Sequence, residues 1–389
     1  ATAAKFSWGL PPLKNAACSA RPAHPPIPWD PAWCPRKAPA PPRTNMTNKI
    51  KPKTDRILLA HGSGGRLTHE LIRTVFMPRF SNAELDTMDD AALITAPGMT
   101  AKKLAFTTDS FVVNPLFFAG GDIGKLAVYG TVNDLAMKGA RPLALSVAAI
   151  IEEGLDMATL EKVAASIALA ARTAGVNVVT GDTKVVEKGK ADKLFITTSA
   201  VGAVYPGANV SGANARHGDA VLINGFVGDH GIAVMAARNE FKFSGAISSD
   251  CAPLNGLVEK LLSRKHPLHV LRDPTRGGVA TTLNEIAAVS GVGIILDEAS
   301  IPVSRPVRAA CNILGLDPLY VANEGKALVI APASSSAAIL SAMRSHRHGK
   351  NAASIGTVVK SPKGVWLKTT SGGLRPLAML EGEQLPRIC

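Results

Sequence analysis

The stretch from Thr107 to Pro142, TTDSFVVNPLFFAGGDIGKLAVYGTVNDLAMKGARP, constrains this chain more than any other. An apolar strand, Leu104 to Phe106, runs into Asp109, a Gly-Gly break follows, and a helix then carries Asn133 and Asp134 in its middle. Asp122 stands near the start of that helix and Gly139 just past its end, the usual asymmetry of helix caps. Ile123, Leu126, Ala127, Val132, Leu135 and Ala136 recur at helical spacing and predict the face turned to the core. Asp134 lies one turn above Gly130, so the surface beneath the carboxylate is expected to be bare enough for a ligand to approach. An unpaired buried carboxylate costs several kcal/mol, roughly, so a cation or a donor is expected beside Asp134. Taken alone, the Asn133–Asp134 pair also fits exposure or local hydrogen bonding; the neighbouring motifs turn the balance.

The 389 residues suggest two domains, and 46% hydrophobic content is ample for two cores. No apolar run approaches the roughly 18 residues of a membrane span, so a soluble chain is expected. Five cysteines without C-x-x-C spacing fit a reducing, cytoplasmic compartment and argue against a disulfide framework or a cysteine zinc site. Cys251 and Cys311, in apolar surroundings, are expected in the core. The net charge of +13 includes six Lys/Arg against one acid in residues 1–45, leaving +8 over the remaining 344 residues. No basic stripe with interleaved aromatics appears, and no nucleic-acid partner is expected. Residues 1–45 hold eleven of the 27 prolines and three of the four tryptophans without periodicity. They are expected to be a disordered Pro-rich extension.

From Ile57 the chain reads as alternating strands and helices, with ILLAHGSGG leading into a helix at roughly Arg66 to Met77. DDAALITA, KLAFTTDS, PLALSVAAII, NVVTGD and KLFITTSAVGAV read as strands, and DMATLEKVAASIALAARTAG as an amphipathic helix ended by Gly175. The turn-rich stretch at 205–219 marks a boundary. Residues 46–208 and 209–371 are therefore expected as two α/β domains, and 372–389 as a mobile tail with Gly372-Gly373 as its hinge.

Several motifs offer chemistry. His61-Gly62-Ser63-Gly64-Gly65 precedes a helix, where backbone amides can cradle phosphate. It is neither a Walker A loop nor a nucleophile elbow. Asp89-Asp90 opens a strand, Asp109 ends one, and Asp182 follows Gly181 at the end of another. Singly each fits a cap or turn; together they put carboxylates at element ends of one α/β half. Mg²⁺ takes a few carboxylate oxygens and completes its shell with phosphate and water, so a magnesium–nucleotide site is expected. Arg272-Asp273-Pro274-Thr275-Arg276-Gly277-Gly278 opens a helix and suits an anion, although a capped helix start also explains Asp273. Asn323-Glu324-Gly325 offers a place for a base, or a plain β-turn. His266, His269, His346 and His348 lie in Lys/Arg-rich, polar segments and are expected to be solvated.

The set DDAAL, TTDS, NDLAMKGARP, VVTGDTKVV, GDHG, RDPTRGG and NEGK resembles the superfamily of aminoimidazole ribonucleotide synthetase, selenophosphate synthetase and thiamine monophosphate kinase. Within it the chain is most similar to the HypE family of hydrogenase maturation proteins, from about Ile57 through the ending Pro386-Arg387-Ile388-Cys389. The resemblance implies a homodimer whose N-terminal sheets pair into a barrel, with ATP in clefts lined by both halves of the fold. It implies that Asp90, Asp109, Asp134 and Asp182 hold Mg²⁺, and that Gly62, Ser63, Gly64, Gly65, Asp109, Asn133, Asp182 and Asp273 hold the nucleotide. It implies that a partner, HypF, carbamoylates Cys389. ATP would then drive dehydration of the thiocarboxamide to a thiocyanate, and cyanide would pass to an iron centre on a HypC–HypD complex for a [NiFe] hydrogenase. Lys184 in GDTKVV and Glu324 in NEGK match the family's catalytic positions, and the resemblance does not divide the two protons between them. A superfamily kinase or synthetase acting on a free small molecule would use the same acidic residues without Cys389. A non-catalytic scaffold would need neither Lys184 nor Glu324.

Overall fold

The computed structural model describes residues 56–62, 64–95, 103–238, 247–380 and 388. The Pro-rich extension, Ser63 and Cys389 lie outside the described residues.

The first half contains short helices α1 (Arg66–Leu71) and α2 (Met77–Phe80), strands β1 (Ala92–Thr95) and β2 (Lys103–Phe111), and a small ribbon of β3 (Phe117–Phe118) and β4 (Gly121–Asp122). It continues with α3 (Ile123–Met137), β5 (Ala140–Glu152), α4 (Met157–Ala174), β6 (Asn177–Val186) and β7 (Leu194–Val204). A π-helical turn, Ile72–Phe76, joins α1 to α2, so the first helical run passes beyond Met77. Asp122 caps as expected, its Oδ1 accepting from the Gly124 and Lys125 amides at 2.8 and 3.0 Å, and the structure adds Asp156, which accepts from the Thr159 amide at 3.0 Å.

The five-stranded sheet runs β1-β2-β7-β5-β6, antiparallel except for the parallel pair β5–β6. Its two faces differ. Along β7 buried and part-buried residues alternate, and the buried set, Leu194, Ile196, Thr198 and Ala200, lies under α3. The opposite face has no layer upon it among the described residues, and Phe106 and Ile150 remain exposed there. β6, at the edge, is exposed along almost its whole length.

The second half contains β8 (Asp219–Ile223), α5 (Asp229–Ala237), α6 (Asn255–Ser263), β9 (Val270–Arg272), α7 (Gly278–Ser290), β10 (Gly293–Asp297) and α8 (Arg305–Leu314). β11 (Leu328–Pro332), α9 (Ser336–Arg344), β12 (Ala353–Val359), β13 (Gly364–Lys368) and β14 (Leu374–Pro376) complete it. Its seven strands run β14-β13-β10-β12-β8-β11-β9 and are covered on both faces. Val221 and Ile223 pack with Val279, Leu283 and Ile286 of α7, while the alternate residues Ala220 and Leu222 pack with α6 and α9.

α3 joins the halves. Its middle packs on the first sheet and its end, Ala136 and Met137, enters the cluster of α6 and α9, so Pro52–Cys389 forms one compact unit. The expected hinge at Gly372-Gly373 needs correction. β14 pairs with β13, Leu377 is buried, and the carbonyls of Leu377, Ala378 and Leu380 accept bonds from Asn284, Tyr320 and the Arg66 amide. The chain is thus tied down through Leu380. Among the described residues no helix is long and apolar enough to cross a membrane.

Candidate active site

Asp134 sits in the last turn of α3 facing β2, where Thr107 Oγ1 donates to its Oδ2 at 2.7 Å. The donor expected beside this carboxylate is therefore a threonine hydroxyl. The expected bare surface is absent, because a Cβ at Gly130 would lie 3.0 Å from the Phe111 ring. Gly130 makes room for a core phenylalanine. Thr131 Oγ1 donates to Asp109 Oδ2 at 3.2 Å from the same helix.

Four carboxylates press on one another here. Burial pushes the Asp134 carboxyl well above its ordinary range, and the charges of Asp109, Asp273 and Asp90 push further. Asp109 is raised by burial against the pull of Arg276, and Asp273 is pushed up to about 6 by burial against the pull of Arg272. Asp90 is raised by burial although Arg272 Nε lies 2.7 Å from its Oδ1. Its second oxygen, Oδ2, is buried without a protein partner. Such a cluster is poorly compensated by the protein and favours a cation. Among the described residues no three acidic, histidine or cysteine side chains converge closely enough to hold a metal by themselves. A magnesium–phosphate complex asks for less, since Mg²⁺ keeps waters and phosphate oxygens in its shell. The orphaned Asp90 oxygen and the crowded charge fit that ion.

The anion-binding reading of the 272–278 loop changes. Arg272 is engaged by Asp90 and by Glu285, whose Oε2 lies 2.8 Å from Nη2, and His69 reaches the other Glu285 oxygen at 2.9 Å. Arg276 Nη1 donates to the Gly62 carbonyl at 3.0 Å. The arginines thus fasten the glycine loop and Asp90 in place. Gly277 and Gly278 are there for shape: a Cβ on Gly278 would meet the Leu319 carbonyl at 2.5 Å. In the glycine loop the Gly64 amide donates to Thr68 Oγ1 at 2.9 Å and the Arg66 amide to Leu380 O at 2.8 Å, so part of the expected phosphate cradle is spent internally.

Asn133, expected at the nucleotide, is a clamp instead. Its Nδ2 donates to the carbonyls of Ala252 and Glu324, and its Oδ1 accepts from the Leu254 amide at 2.8 Å. Both of its N–H donors are used in tying α3 to the segments that carry Ala252 and Glu324.

Glu324 is buried, and burial, Asp250 and Asp273 raise its carboxyl well above the ordinary value. Asp250, which no local sequence signal marked, positions it: its oxygens accept from the Glu324 and Gly325 amides at 3.1 and 3.3 Å and pair with Lys326 Nζ at 2.7 Å. Burial opposes ionisation of Asp250, but Lys326 and the Glu324 amide outweigh it and hold that carboxyl below its usual range. Cys251, half-buried beside this segment, has its thiol pushed well up by burial and by Glu324. Cys311 is in the core as expected. The histidines are less solvated than expected, and His269 Nδ1 lies 2.8 Å from Asp219.

Asp182 and Lys184 are the exceptions. They pair with each other at 3.0 Å and are about 60% exposed. Register across the sheet runs Asp109–Thr198–Val147–Gly181. Asp182 is thus one residue out of step with Asp109 and points to the uncovered face, three strand spacings or about 14 Å away. Lys184 aligns with Ile150 on that same face. Within one chain the fold brings Asp90, Asp109, Asp134, Asp273 and Glu324 to one region and leaves Asp182 and Lys184 outside it.

Comparison with known proteins agrees with this architecture. The AIR synthase related protein N-terminal domain matches residues 88–204 and the corresponding C-terminal domain matches residues 216–367. The chain is 51% identical over 338 residues to carbamoyl dehydratase HypE of Cupriavidus necator, covering 87% of this chain and 96% of that protein. It superposes on HypE in a HypE–HypF complex with a TM-score of 0.76 at 51% identity, covering 80% of this chain and 99% of the other. With HypE in complex with ATP the TM-score is 0.71 at 50% identity, covering 86% and 100%. Buried acidic cluster, positioned glutamate and shared sequence all agree, and the chain belongs to the HypE family of carbamoyl dehydratases within the AIR synthase related proteins.

Proposed function

We propose that this chain uses ATP to dehydrate a carbamoyl group carried on the sulfur of Cys389, giving a thiocyanate that supplies the cyanide ligand of a [NiFe] hydrogenase iron centre. The observation that carries this reading is Glu324, a buried carboxylate of raised basicity held by Asp250 beside the acidic cluster of α3 and β2. An amide oxygen is a poor nucleophile until a base removes an N–H proton. Attack of that oxygen on the γ-phosphorus breaks the bond to ADP and forms a C–O–P link. Loss of the second N–H proton breaks the C–O bond, and the oxygen departs with phosphate, so one water's elements leave as phosphate oxygen and two protons. A carboxylate whose pKa is raised by burial is a stronger base than an exposed one and suits the proton steps.

Asp90, Asp109, Asp134 and Asp273 are the residues that would hold Mg²⁺ with the ATP phosphates. The ion would screen charge on the phosphoryl group in flight. Asp182 and Lys184 complete the constellation from a second copy of the chain. The support is their position on the uncovered face of the first sheet, with Phe106, Ile150 and the exposed edge strand β6 beside them. An apolar sheet face of this kind is what a homodimer buries. Residues 46–208 then bind nucleotide and dimerise, 209–371 supply Glu324, and the segment beyond Leu380 brings Cys389. The relative found in a HypE–HypF complex suggests HypF as the carbamoyl donor. A HypC–HypD complex would accept the cyanide, all in the cytoplasm.

Intact mass is the test. Given HypF, carbamoyl phosphate and ATP, the chain gains one carbamoyl group and then loses one water, while Cys389→Ala gains nothing. A carbamoyl adduct on the Cys389→Ala chain would refute the assignment.

A further inference from the structure

The motif Gly228-Asp229-His230-Gly231 has no role in the reaction as described. His230 is the second residue of α5 and is completely buried. Its Nδ1 lies 2.8 Å from Ser249 Oγ and its Nε2 lies 2.8 Å from the carbonyl oxygen of Ile388. Ser249 Oγ also accepts the Cys251 amide at 3.1 Å. A hydroxyl has one proton to give, so Ser249 donates to Nδ1, and the ring proton sits on Nε2 and is given to Ile388. Burial holds the imidazole below its ordinary pKa, which keeps this neutral tautomer. The Phe118 ring meets the imidazole edge to face, 5.4 Å between centroids, and fixes its plane.

Ile388 itself is buried, 7% exposed, in the apolar cluster that contains Leu116, Ile232 and Val321. A buried carbonyl without a donor is costly, so burying this side chain depends on a donor for the adjoining backbone. His230 is that donor. The same histidine is linked through Ser249 to the segment in which Asp250 holds the Glu324 loop.

We infer that His230 is a positioning residue that seats the end of the chain: its Nε2–H grips the Ile388 carbonyl while Phe118, Ile232 and their neighbours grip the side chain, and this docking of Ile388 is what the reaction at the next residue, Cys389, depends on. This rests on the dehydratase reading above. With the Ile388 carbonyl fixed, the sulfur one residue on is left only a few torsions, and each torsion frozen in advance lowers the entropy lost on reaching the reactive geometry.

The test uses the full chain and its variants His230→Phe, His230→Gln and Ile388→Ala. Iodoacetamide labelling of Cys389, read on the C-terminal peptide by mass, reports docking without any catalysis. Single-turnover conversion of the carbamoylated chain on adding ATP reports positioning. In His230→Phe labelling is expected to quicken and conversion to slow, each by about tenfold or more, with ATP affinity unchanged. His230→Gln, which keeps an N–H donor, recovers most of both. Ile388→Ala reproduces the defect, and combining it with His230→Phe adds little, because both undo one docking event. Parent-like labelling or parent-like conversion in folded His230→Phe overturns the inference, as does a fully additive double variant. Failure of the parent chain to take up a carbamoyl group on Cys389 would overturn the dehydratase reading instead, and labelling alone would then decide whether His230 docks the tail.

Discussion

On the inner face of the first sheet, Asp109 lies under α3 beside Asp134, both dehydrated and both pushed towards protonation. On the outer face Asp182 lies in solvent beside Lys184, which with the Thr183 amide holds its carboxyl below the ordinary value. The residues differ by a single step of register, yet one face of the sheet carries stored electrostatic strain and the other carries none. Strain of this kind is what a bound cation would relieve. On the outer face the Asp182 carboxylate is already compensated by Lys184 and by solvent.

The largest expected effect tests whether the two faces work together across a dimer. Lys184→Ala and Glu324→Gln should each lower dehydration by a factor on the order of 10² to 10⁴ with nucleotide affinity little changed. Co-refolding the two inactive chains should restore activity, since a mixed dimer pairs the intact Lys184 of one copy with the intact Glu324 of the other. No recovery from the mixture would place both residues in one chain's site and contradict the sheet register.

Asp134→Asn set against Asp182→Asn sharpens the contrast in charge. The first should abolish ATP turnover yet raise the melting temperature of the nucleotide-free chain by a few degrees, the size of about 1 kcal/mol in a domain this large. The second should leave that temperature unchanged. A lower melting temperature for Asp134→Asn would show that its charge is compensated after all.

The clamp predicts a loss of stability in place of chemistry. Asn133→Ala strands the Leu254 amide and two carbonyls, at about 1–3 kcal/mol for each buried group left unsatisfied, so the denaturation midpoint should fall. Near-normal kcat per folded molecule is the accompanying result, and a selective loss of ATP affinity would restore the nucleotide role expected from sequence.

The smallest effect is in pH. Asp273 titrates at about 6 in the folded chain against 3.8 ordinarily, so the folded state binds more protons between those values. Stability of the nucleotide-free chain should therefore fall as pH rises from near 4 through about 6, and Asp273→Asn should flatten that slope. Denaturant midpoints across this range measure it.

The sequence alone determined the local structure and the chemical inventory. Asp122, Gly139 and Gly175 mark helix ends because caps need only their neighbours, and the α3 core face follows from periodicity. The acidic residues, Glu324 and the family were legible because short motifs carry them. Partners distant in sequence were not. Thr107 for Asp134, Arg272 for Asp90, Asp250 for the Glu324 loop and His230 for Ile388 are separated by 27 to 182 residues, and no local signal encodes such distances. Gly130 illustrates the limit: a glycine beneath a carboxylate looked like room for a ligand, and the Phe111 ring occupies it. Asn133 likewise carries a polar group whose use depends entirely on which loops reach it. The tertiary structure also decided which acids share a face, because strand register sends alternate residues to opposite sides, and register is settled by the burial of the whole sheet against α3.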